Sequence, residues 1–250
     1  MKKTAAIILA AGKGTRMKSD KPKVIFELAG VPMINRVINT AKKIDSDIIA
    51  TVVGYKKEQV MAVTEDNPKI KFVEQVEQNG TGHAVMVTEN VFSDFEGDIF
   101  ILCGDVPLLR YQTLEKILKH HRDTNASCTV LTAVMDDALR YGRIVRNNSG
   151  NVERIVEFKD ATEEQKGIKE INTGIYCFDS KSLFAALKDV TNKNNQNEYY
   201  LTDTLEILNK KNNLVTSVLL DDMIEASGVN SQEQLAELED AYLKNQAHYQ

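Results

Sequence analysis

The sequence is poor in the residues that mark several specialised classes of protein. It has no tryptophan, three cysteines, four prolines and 13 glycines in 250 residues. So few glycines and prolines exclude a collagen-like or low-complexity chain, and a net charge of −5 is too small for a disordered acidic tail. No apolar run approaches the about 18 residues that a membrane-spanning helix needs, so we expect no membrane partner.

The few cysteines predict neither a disulfide framework nor a zinc site. Cys103, Cys128 and Cys177 lie far apart in apolar segments, and no Cys-x-x-Cys pair is present. We therefore expect small, buried apolar side chains. The adjacent His120 and His121 point in different directions on a predicted helix, which favours a solvated surface pair over a metal site. A pI near 5.5 argues against nucleic acid as the main partner.

The apolar segment near the N-terminus resembles a signal peptide only in part. Residues 5–11 are apolar, but the charged, glycine-containing residues 12–16 stand where a cleavage site would be. We therefore interpret residues 5–11 as a buried first strand and expect a cytoplasmic protein.

Apolar residues follow two alternating patterns over about the first 110 residues. Continuous apolar runs, which predict strands buried on both faces, occupy residues 5–11, 48–53, 70–75 and 99–103. Segments with helical spacing occupy residues 33–44, 56–64 and 82–92. Strands that alternate with helices predict a parallel, doubly wound sheet.

The second half of the chain is richer in predicted strands. They occupy residues 128–135, 143–146, 152–158, 174–178 and 215–220, and helices are expected at 113–121, 182–187 and 200–208. Residues 147–150, Asn-Asn-Ser-Gly, predict a hairpin turn. Ser231 followed by Gln234 predicts a capping box that opens a final helix.

A glycine-rich basic loop follows the first strand. Between residues 13 and 23 the sequence has five basic residues and one acidic residue, a local charge of +4 in a chain of net charge −5. Glycines let backbone N–H groups approach a phosphate, so the loop suits a polyphosphate, although a merely solvated basic loop is the alternative. A Walker A motif is excluded by spacing, and a dinucleotide fingerprint fails because Met17 stands where its third glycine belongs. A dehydrogenase is therefore disfavoured.

Several motifs carry a family resemblance. Residues 9–17, Leu-Ala-Ala-Gly-Lys-Gly-Thr-Arg-Met, and the Lys-Pro-Lys at 21–23 resemble the signature of sugar-1-phosphate nucleotidyltransferases. Later segments resemble, in order, the uridyltransferase half of the bifunctional N-acetylglucosamine-1-phosphate uridyltransferases/glucosamine-1-phosphate acetyltransferases. These segments are residues 75–84, 104–108, 141–144, 155–161, 171–174, 197–203 and 228–230. The resemblance covers nearly the whole chain.

The resemblance implies an α/β fold. It would have a Rossmann-like, doubly wound mixed sheet, a β-rich sugar-binding lid and a C-terminal helix. The expected division is a nucleotidyltransferase domain over residues 1–228 and a helical arm over 229–250. Within the domain, residues 1–110 form the nucleotide-binding half and residues 111–228 the sugar-binding half.

The implied reaction is Mg²⁺-dependent transfer of UMP from UTP to N-acetylglucosamine 1-phosphate. It yields UDP-N-acetylglucosamine and pyrophosphate by in-line attack, without a covalent intermediate or a general base, because the attacking phosphate is already ionised. Alternatives are another sugar 1-phosphate or dTTP as substrate, and an inactive regulator that binds nucleotide sugars.

The resemblance also assigns residues. It places the nucleotide on Leu9, Ala10, Ala11, Gly12, Gly14, Thr15, Lys23, Gln75, Gly80 and Thr81, and the sugar on Cys103, Gly104, Gly142, Glu157 and Asn172. Asp105 and Asn230 would hold Mg²⁺, and the catalytic residues would be Arg16, Lys23 and Asp105. Arg16 would neutralise the leaving pyrophosphate and Lys23 the α-phosphate.

Without the resemblance, three of these residues have ordinary explanations. Asp105 follows a predicted parallel strand, where open α/β sheets bind ligands, but a turn-forming aspartate would look the same. Gln75 could simply end a strand, and Glu157 could lie exposed on a hairpin.

The sequence departs from the family in two places. Cys103 stands where the family usually has tyrosine, which leaves the identity of the sugar less certain than the reaction type. The bifunctional proteins continue into a trimeric left-handed β-helix that carries the acetyltransferase site, and no such repeats follow here. We therefore expect one activity, no β-helix trimer, and a monomer or weak oligomer.

Overall fold

The computed structural model describes residues 2–138 and 140–248. The strands are β1 (Lys3–Leu9), β2 (Glu27–Leu28), β3 (Val31–Pro32), β4 (Ile48–Val53), β5 (Ile70–Glu74), β6 (Gly97–Cys103), β7 (Cys128–Val134), β8 (Arg143–Arg146), β9 (Val152–Val156), β10 (Glu170–Asp179) and β11 (Val215–Leu219). The α-helices are α1 (Met33–Lys43), α2 (Lys57–Val63), α3 (Thr81–Met86), α4 (Tyr111–Asp123), α5 (Glu163–Lys166), α6 (Ser180–Leu187), α7 (Asp203–Lys210) and α8 (Gln232–Lys244). Short 3₁₀ turns occupy Thr15–Met17, Lys23–Ile25, Glu89–Phe92, Met223–Ala226 and Gln246–His248.

One mixed sheet runs through the described residues. Its main path is β11-β7-β10-β6-β1-β4-β5, and β8 pairs with both β10 and β9. The strands β6, β1, β4 and β5 are parallel, whereas β10 runs antiparallel to both β6 and β7. Leu9 pairs with Cys103 and with Val52, so the carboxyl ends of the parallel strands share one edge. The predicted fold class is confirmed.

Helices cover both faces of this sheet. Ile7 belongs to a core cluster with Val85, Leu183 and Leu205, which come from α3, α6 and α7. The next residue, Ile8, belongs to the opposite cluster, which contains side chains of α1 and α4. Alternate residues of β1 are therefore buried on opposite faces, which explains why the strand is a continuous apolar run.

The C-terminal helix α8 packs against the β2–β3 hairpin rather than on the main sheet. A small apolar cluster joins them, with Met17, Leu28, Met33, Leu108, Val229, Leu238 and Tyr242 buried in it. The Ala29 N–H donates to Glu239 Oε1 (2.5 Å), and the Gln232 amide donates to the Met17 carbonyl (2.9 Å). These contacts hold the segment before α8 beside the loop that follows β1.

Most predicted elements are present, with shifted boundaries. The first strand is Lys3–Leu9, and Ala10 and Ala11 belong to the loop after it. The helix predicted at 82–92 is interrupted: α3 ends at Met86, and a 3₁₀ turn follows at Glu89–Phe92. The strand predicted at 174–178 extends over ten residues, and the short β2, β3 and α5 were not predicted.

The prediction for His121 is wrong. Its side chain is buried, with Nδ1 2.9 Å from Thr129 Oγ1 and Nε2 3.5 Å from Asp98 Oδ1. His121 lies on the side of α4 that faces the sheet. The fact that two histidines are adjacent does not show which of them lies on that side. Cys128 and Cys177 are buried as predicted, whereas Cys103 is partly exposed.

The start of α8 differs in one detail from the predicted capping box. Ser231 Oγ accepts from the Gln234 N–H (3.2 Å), as expected for an N-cap. The Gln234 side chain, however, accepts from the Asn230 N–H (2.8 Å) instead of the Ser231 N–H. The glutamine therefore fixes the backbone of Asn230.

None of the helices in the described part of the chain combines the length and apolarity needed to cross a membrane.

Candidate active site

The loop after β1 is shaped by a glycine with a left-handed backbone. Gly14 has φ +66°, and a Cβ atom there would lie 2.5 Å from Lys23 Cβ. Any side chain at this position would push Lys23 away, so the glycine allows the two segments of the loop to approach. Thr15 and Arg16 then begin an exposed 3₁₀ turn.

The Lys23 ammonium joins three distant segments. It donates to Asp105 Oδ2 in a short contact and lies 3.2 Å from Asn230 Oδ1. Arg16 Nη2 donates to the same Asn230 oxygen (2.8 Å). The structure therefore brings together the four residues predicted for catalysis and metal binding: two cations, one carboxylate and one neutral amide.

A cavity of about 280 Å³ opens beside this cluster at the carboxyl edge of the sheet. Eight of the predicted nucleotide-binding residues line it: Leu9, Ala10, Ala11, Gly12, Lys23, Gln75, Gly80 and Thr81. Gly14 lies against Lys23, and Thr15 lies in the exposed turn beyond it. Gln75 is buried in the wall of this cavity.

Sequence reasoning missed two polar residues of this cavity. Gln78 donates from Nε2 to the Ala11 carbonyl (2.8 Å) and Glu198 lies on the wall. The Gln78 contact anchors the loop over the end of β1. The position of Gln78 inside the motif at 75–84 could have suggested a place in the site. The motif does not, however, distinguish a residue that contacts a ligand from one that holds a loop.

A second cavity of about 390 Å³ adjoins the first. Cys103 and Asp105 line both cavities, and Arg16 and Asn230 line the second. Its remaining wall includes Val106, Arg140, Tyr141, Thr173, Ala226, Gly228 and Gln234. Arg140 and Tyr141 were not predicted as site residues.

The predicted sugar-binding residues also converge. A Cβ atom at Gly142 would lie 3.6 Å from both Glu157 Oε1 and Asn172 Cβ. Asn172 Oδ1 accepts from the Gly174 N–H (3.0 Å), and a Cβ atom at Gly174 would lie 3.2 Å from Cys103 Sγ. Gly142, Glu157 and Asn172 thus lie close to one another, but they do not form part of the wall of the second cavity, which Cys103 lines.

The surroundings raise the pKa of two groups in this region. Burial raises the pKa of Glu157, and the nearby Asp160 and Asp203 carboxylates add to the effect, whereas the Thr202 hydroxyl donates to Glu157 Oε1 (3.2 Å) and opposes it. Burial and the Asp105 carboxylate raise the pKa of the Cys103 thiol to about 12. Cys103 is therefore a neutral thiol, unsuited to nucleophilic attack.

Gly104 lies between the end of β6 and Asp105, and it packs against the end of β1. Its N–H donates to the Leu9 carbonyl (2.9 Å), and a Cβ atom there would lie 3.1 Å from that oxygen. The small residue keeps Asp105 close to the end of β1.

The family of the chain follows from a match over most of its length. Residues 5–225 match the family described as nucleotidyl transferase. The chain belongs to the nucleotidyl transferase family. Members of this family generally use a divalent metal ion.

Similar proteins narrow the comparison within the nucleotidyl transferases. The chain is 47% identical over 239 residues to the bifunctional protein GlmU of Geobacillus sp. (strain WCH70), covering 96% of this chain and 52% of that protein. It is also 47% identical to the bifunctional protein GlmU of Limosilactobacillus reuteri, covering 94% of this chain and 51% of that protein. The chain thus spans about half the length of the curated relatives it matches.

Solved nucleotidyl transferases share the fold. A UDP-glucose pyrophosphorylase complexed with UDP-glucose superposes with a TM-score of 0.77 at 20% identity, covering 98% of this chain and 100% of that chain. A UDP-glucose pyrophosphorylase from Acinetobacter baumanii gives a TM-score of 0.72 at 18% identity, covering 97% and 93%. At these identities the likeness establishes the fold of this nucleotidyl transferase.

The donor set of the Lys23 cluster fits a hard divalent ion shared with a substrate. Asp105 and Asn230 present a carboxylate and an amide oxygen to one cation, the Lys23 ammonium. Among residues 2–138 and 140–248, no group of three or more His, Cys, Asp or Glu side chains is placed to hold a metal. Mg²⁺ commonly takes one or two protein oxygens and completes its shell with water and phosphates. The two oxygens therefore suit Mg²⁺ brought by a nucleotide.

Proposed function

We propose that this nucleotidyl transferase transfers UMP from UTP to N-acetylglucosamine 1-phosphate, forming UDP-N-acetylglucosamine and pyrophosphate with Mg²⁺. The observation that carries the proposal is the position of Asp105, which lines both cavities and accepts from Lys23. Two substrates bound in adjoining cavities would meet at this residue. The identity of 47% with bifunctional GlmU proteins supports the choice of nucleotide and sugar.

The smaller cavity suits the nucleotide. The loop after β1 supplies backbone groups and basic side chains for a triphosphate, and the buried Gln75 amide supplies hydrogen bonds for a pyrimidine. In this arrangement the base lies against the Gln75 amide and the Gly80 backbone, on the side that faces the cavity, and the phosphates extend towards Lys23 and Arg16.

The second cavity suits the sugar 1-phosphate. Glu157 and Asn172, which lie near Gly142 and outside the wall of this cavity, offer polar groups for hydroxyl and N-acetyl substituents of a sugar that extends towards them. Cys103 lies between the two cavities, where it limits the space available to the sugar.

Direct displacement accounts for the reaction with the residues present. An oxygen of the sugar phosphate attacks the α-phosphorus of UTP, the bond to the β-phosphate oxygen breaks, and pyrophosphate leaves with the electron pair. The attacking oxygen is already ionised at neutral pH, so no side chain needs to remove a proton. Lys23 neutralises the α-phosphate and the attacking group, and Arg16 neutralises the leaving pyrophosphate.

Asp105 and Asn230 would hold the magnesium ion. When bound, Mg²⁺ supplies charge neutralisation to the phosphate oxygens. The protein contributes the arrangement: Gln234 fixes the Asn230 backbone, and Arg16 and Lys23 hold its side-chain oxygen.

The decisive experiment is a coupled assay for pyrophosphate release. UTP, Mg²⁺ and N-acetylglucosamine 1-phosphate should support turnover, and a chelator should abolish it until excess Mg²⁺ is restored. The absence of release, or release that a chelator does not change, contradicts the proposal.

A substrate panel tests the identity of both substrates. Glucose 1-phosphate and glucosamine 1-phosphate replace the sugar, and dTTP replaces UTP. A higher kcat/KM with one of these identifies a nucleotidyl transferase of different specificity, which Cys103 would help to explain. Tight binding of UDP-N-acetylglucosamine without any pyrophosphate release would instead identify a regulator.

A further inference from the structure

The Gln75 amide makes both of its protein contacts through one atom. Its Nε2 lies 3.1 Å from the Gly80 carbonyl oxygen and 3.2 Å from His83 Nδ1. Among the described residues, Oε1 has no protein partner. Gln75 lines the smaller cavity, so the free acceptor of the amide is available to a ligand there.

These contacts select the tautomer of a neutral His83 ring. A carbonyl oxygen can only accept, so the amide atom facing Gly80 must be the nitrogen. The same nitrogen faces His83 Nδ1, which must therefore accept as well. The neutral His83 ring then carries its proton on Nε2, and both hydrogens of the Gln75 amide are used within the protein.

We propose that His83 is a positioning residue that makes the nucleotide site selective for pyrimidines with an N3–H group. It consumes the second donor of Gln75, so the amide offers the base an acceptor alone. Uracil and thymine carry a donor at N3, whereas cytosine carries an acceptor there and would face the Gln75 oxygen with a lone pair. The inference rests on the proposed function in placing a pyrimidine in this cavity.

The surroundings hold His83 in place. Gly80 has φ +105°, and a Cβ atom there would lie 2.6 Å from the Tyr199 carbonyl oxygen. The Gly82 N–H donates to that same oxygen (2.7 Å), and the His83 and Tyr199 rings lie 6.3 Å apart. The start of α3 is therefore packed against the backbone at Tyr199, which aims the imidazole at Gln75.

The geometry also opposes the reversed amide. A rotation that exchanged Oε1 and Nε2 would place Oε1 against the Gly80 carbonyl oxygen and against the lone pair of His83 Nδ1. Oε1 would then face two other acceptors, so both hydrogen bonds of the amide would be lost and the lone pairs would repel one another. Without His83, the contact with Gly80 remains as the single force that orients the amide.

The test compares three variants by nucleotide binding. His83→Leu removes the acceptor, and His83→Asn restores one, because an asparagine Oδ1 can occupy the place of Nδ1. Met86→Leu is the matched control. Met86 lies on α3 and lines a third cavity together with His83, and its replacement removes no hydrogen bond to Gln75. Dissociation constants for UTP, dTTP and CTP are measured by calorimetry with Mg²⁺ and without sugar phosphate, and thermal unfolding reports on folding.

We expect His83→Leu to reduce the preference for UTP over CTP by about tenfold, which corresponds to the loss of one hydrogen bond. The ratio for UTP over dTTP should stay unchanged, because both bases carry N3–H. His83→Asn and Met86→Leu should retain the wild-type preference over CTP.

An unchanged preference in a folded His83→Leu protein overturns the inference, and so does an equal loss in Met86→Leu. Wild-type protein that binds UTP no better than CTP also overturns it. A protein that prefers UTP in binding, loses the preference in His83→Leu, and releases no pyrophosphate supports the inference while contradicting the proposed reaction.

Discussion

Lys23 Nζ lies 3.2 Å from Asn230 Oδ1, although 207 residues separate them in the chain. The contact exists because α8 packs on the β2–β3 hairpin and so returns the end of the chain to the loop after β1. The same ammonium holds Asp105 at the end of β6. One lysine thus connects the three segments that the proposed reaction needs together.

Replacement of Lys23 by alanine should reduce kcat by about 10²–10³-fold while leaving the fold intact, because a charge that stabilises the transition state is lost. Steady-state pyrophosphate release and circular dichroism measure the two effects. Lys21→Ala is the matched control, since that lysine lies in the same loop, 5.1 Å from the centre of the Phe26 ring. Near-normal turnover in folded Lys23→Ala protein would contradict the assignment.

Replacement of Glu157 by glutamine should raise KM for the sugar phosphate by about tenfold and leave KM for UTP unchanged. The substitution keeps the size of the side chain and weakens it as an acceptor for sugar hydroxyls. Glu153→Gln is the control, because Glu153 lies on β9, the strand that ends just before Glu157, and pairs with Arg154 at the surface. Equal effects of Glu157→Gln on both KM values would indicate a structural role.

Replacement of Asp98 by asparagine should destabilise the protein in a pH-dependent way. Burial alone would raise the pKa of Asp98, but hydrogen bonds from His121, Lys2 and Arg122 bring it well below its usual value. The ionised form is therefore favoured by folding, and its stabilisation is present above the ordinary aspartate pKa and is lost as the pH falls towards the lower folded value.

Urea unfolding measures this effect. At about pH 7 the Asp98→Asn variant should lose about 3 kcal/mol of unfolding free energy, because it removes the buried carboxylate that pairs with the partly exposed Lys2 and Arg122 side chains. The difference from wild type should shrink below about pH 4. Asp123→Asn, an exposed partner of Lys119, should change stability by less than about 0.5 kcal/mol at either pH. A pH-independent loss in Asp98→Asn would contradict the charge argument.

Alkylation should not inactivate the native enzyme. The pKa of Cys103 is raised to about 12, so almost no thiolate exists at about pH 8, and Cys128 and Cys177 are buried. Iodoacetamide should leave activity and intact mass unchanged, and should add three groups after denaturation. Rapid single alkylation at Cys103 with loss of turnover would show that this thiol is more reactive than its surroundings imply.

The elements that could be predicted are those with long periodic patterns. The alternation of apolar strands and amphipathic helices in the first half predicted the parallel part of the sheet, because both faces of those strands are covered. The hairpin at β8–β9 followed from its turn residues. The two-residue strands β2 and β3 were beyond prediction, since so short a pairing has no period.

The candidate site was predictable at the level of motifs. The position of Asp105 after a predicted strand suggested a ligand site there, and the resemblance to a family added Gln75, Asn230 and the predicted sugar-binding residues. The buried His121 and the direction of the Gln234 side chain could not be predicted. Both depend on which neighbour the fold supplies.

The sequence by itself determined the local structure: the glycine-containing basic loop, the strands that deliver it and the residue types available for phosphate chemistry. Backbone preferences and apolar periodicity act over a few residues, so they can be read from the chain. The tertiary structure alone decided that Asp105 and Asn230 share the Lys23 ammonium and that His83 accepts from Gln75. Those relationships arise from the packing of distant segments, and no local pattern in the sequence encodes the distance between them.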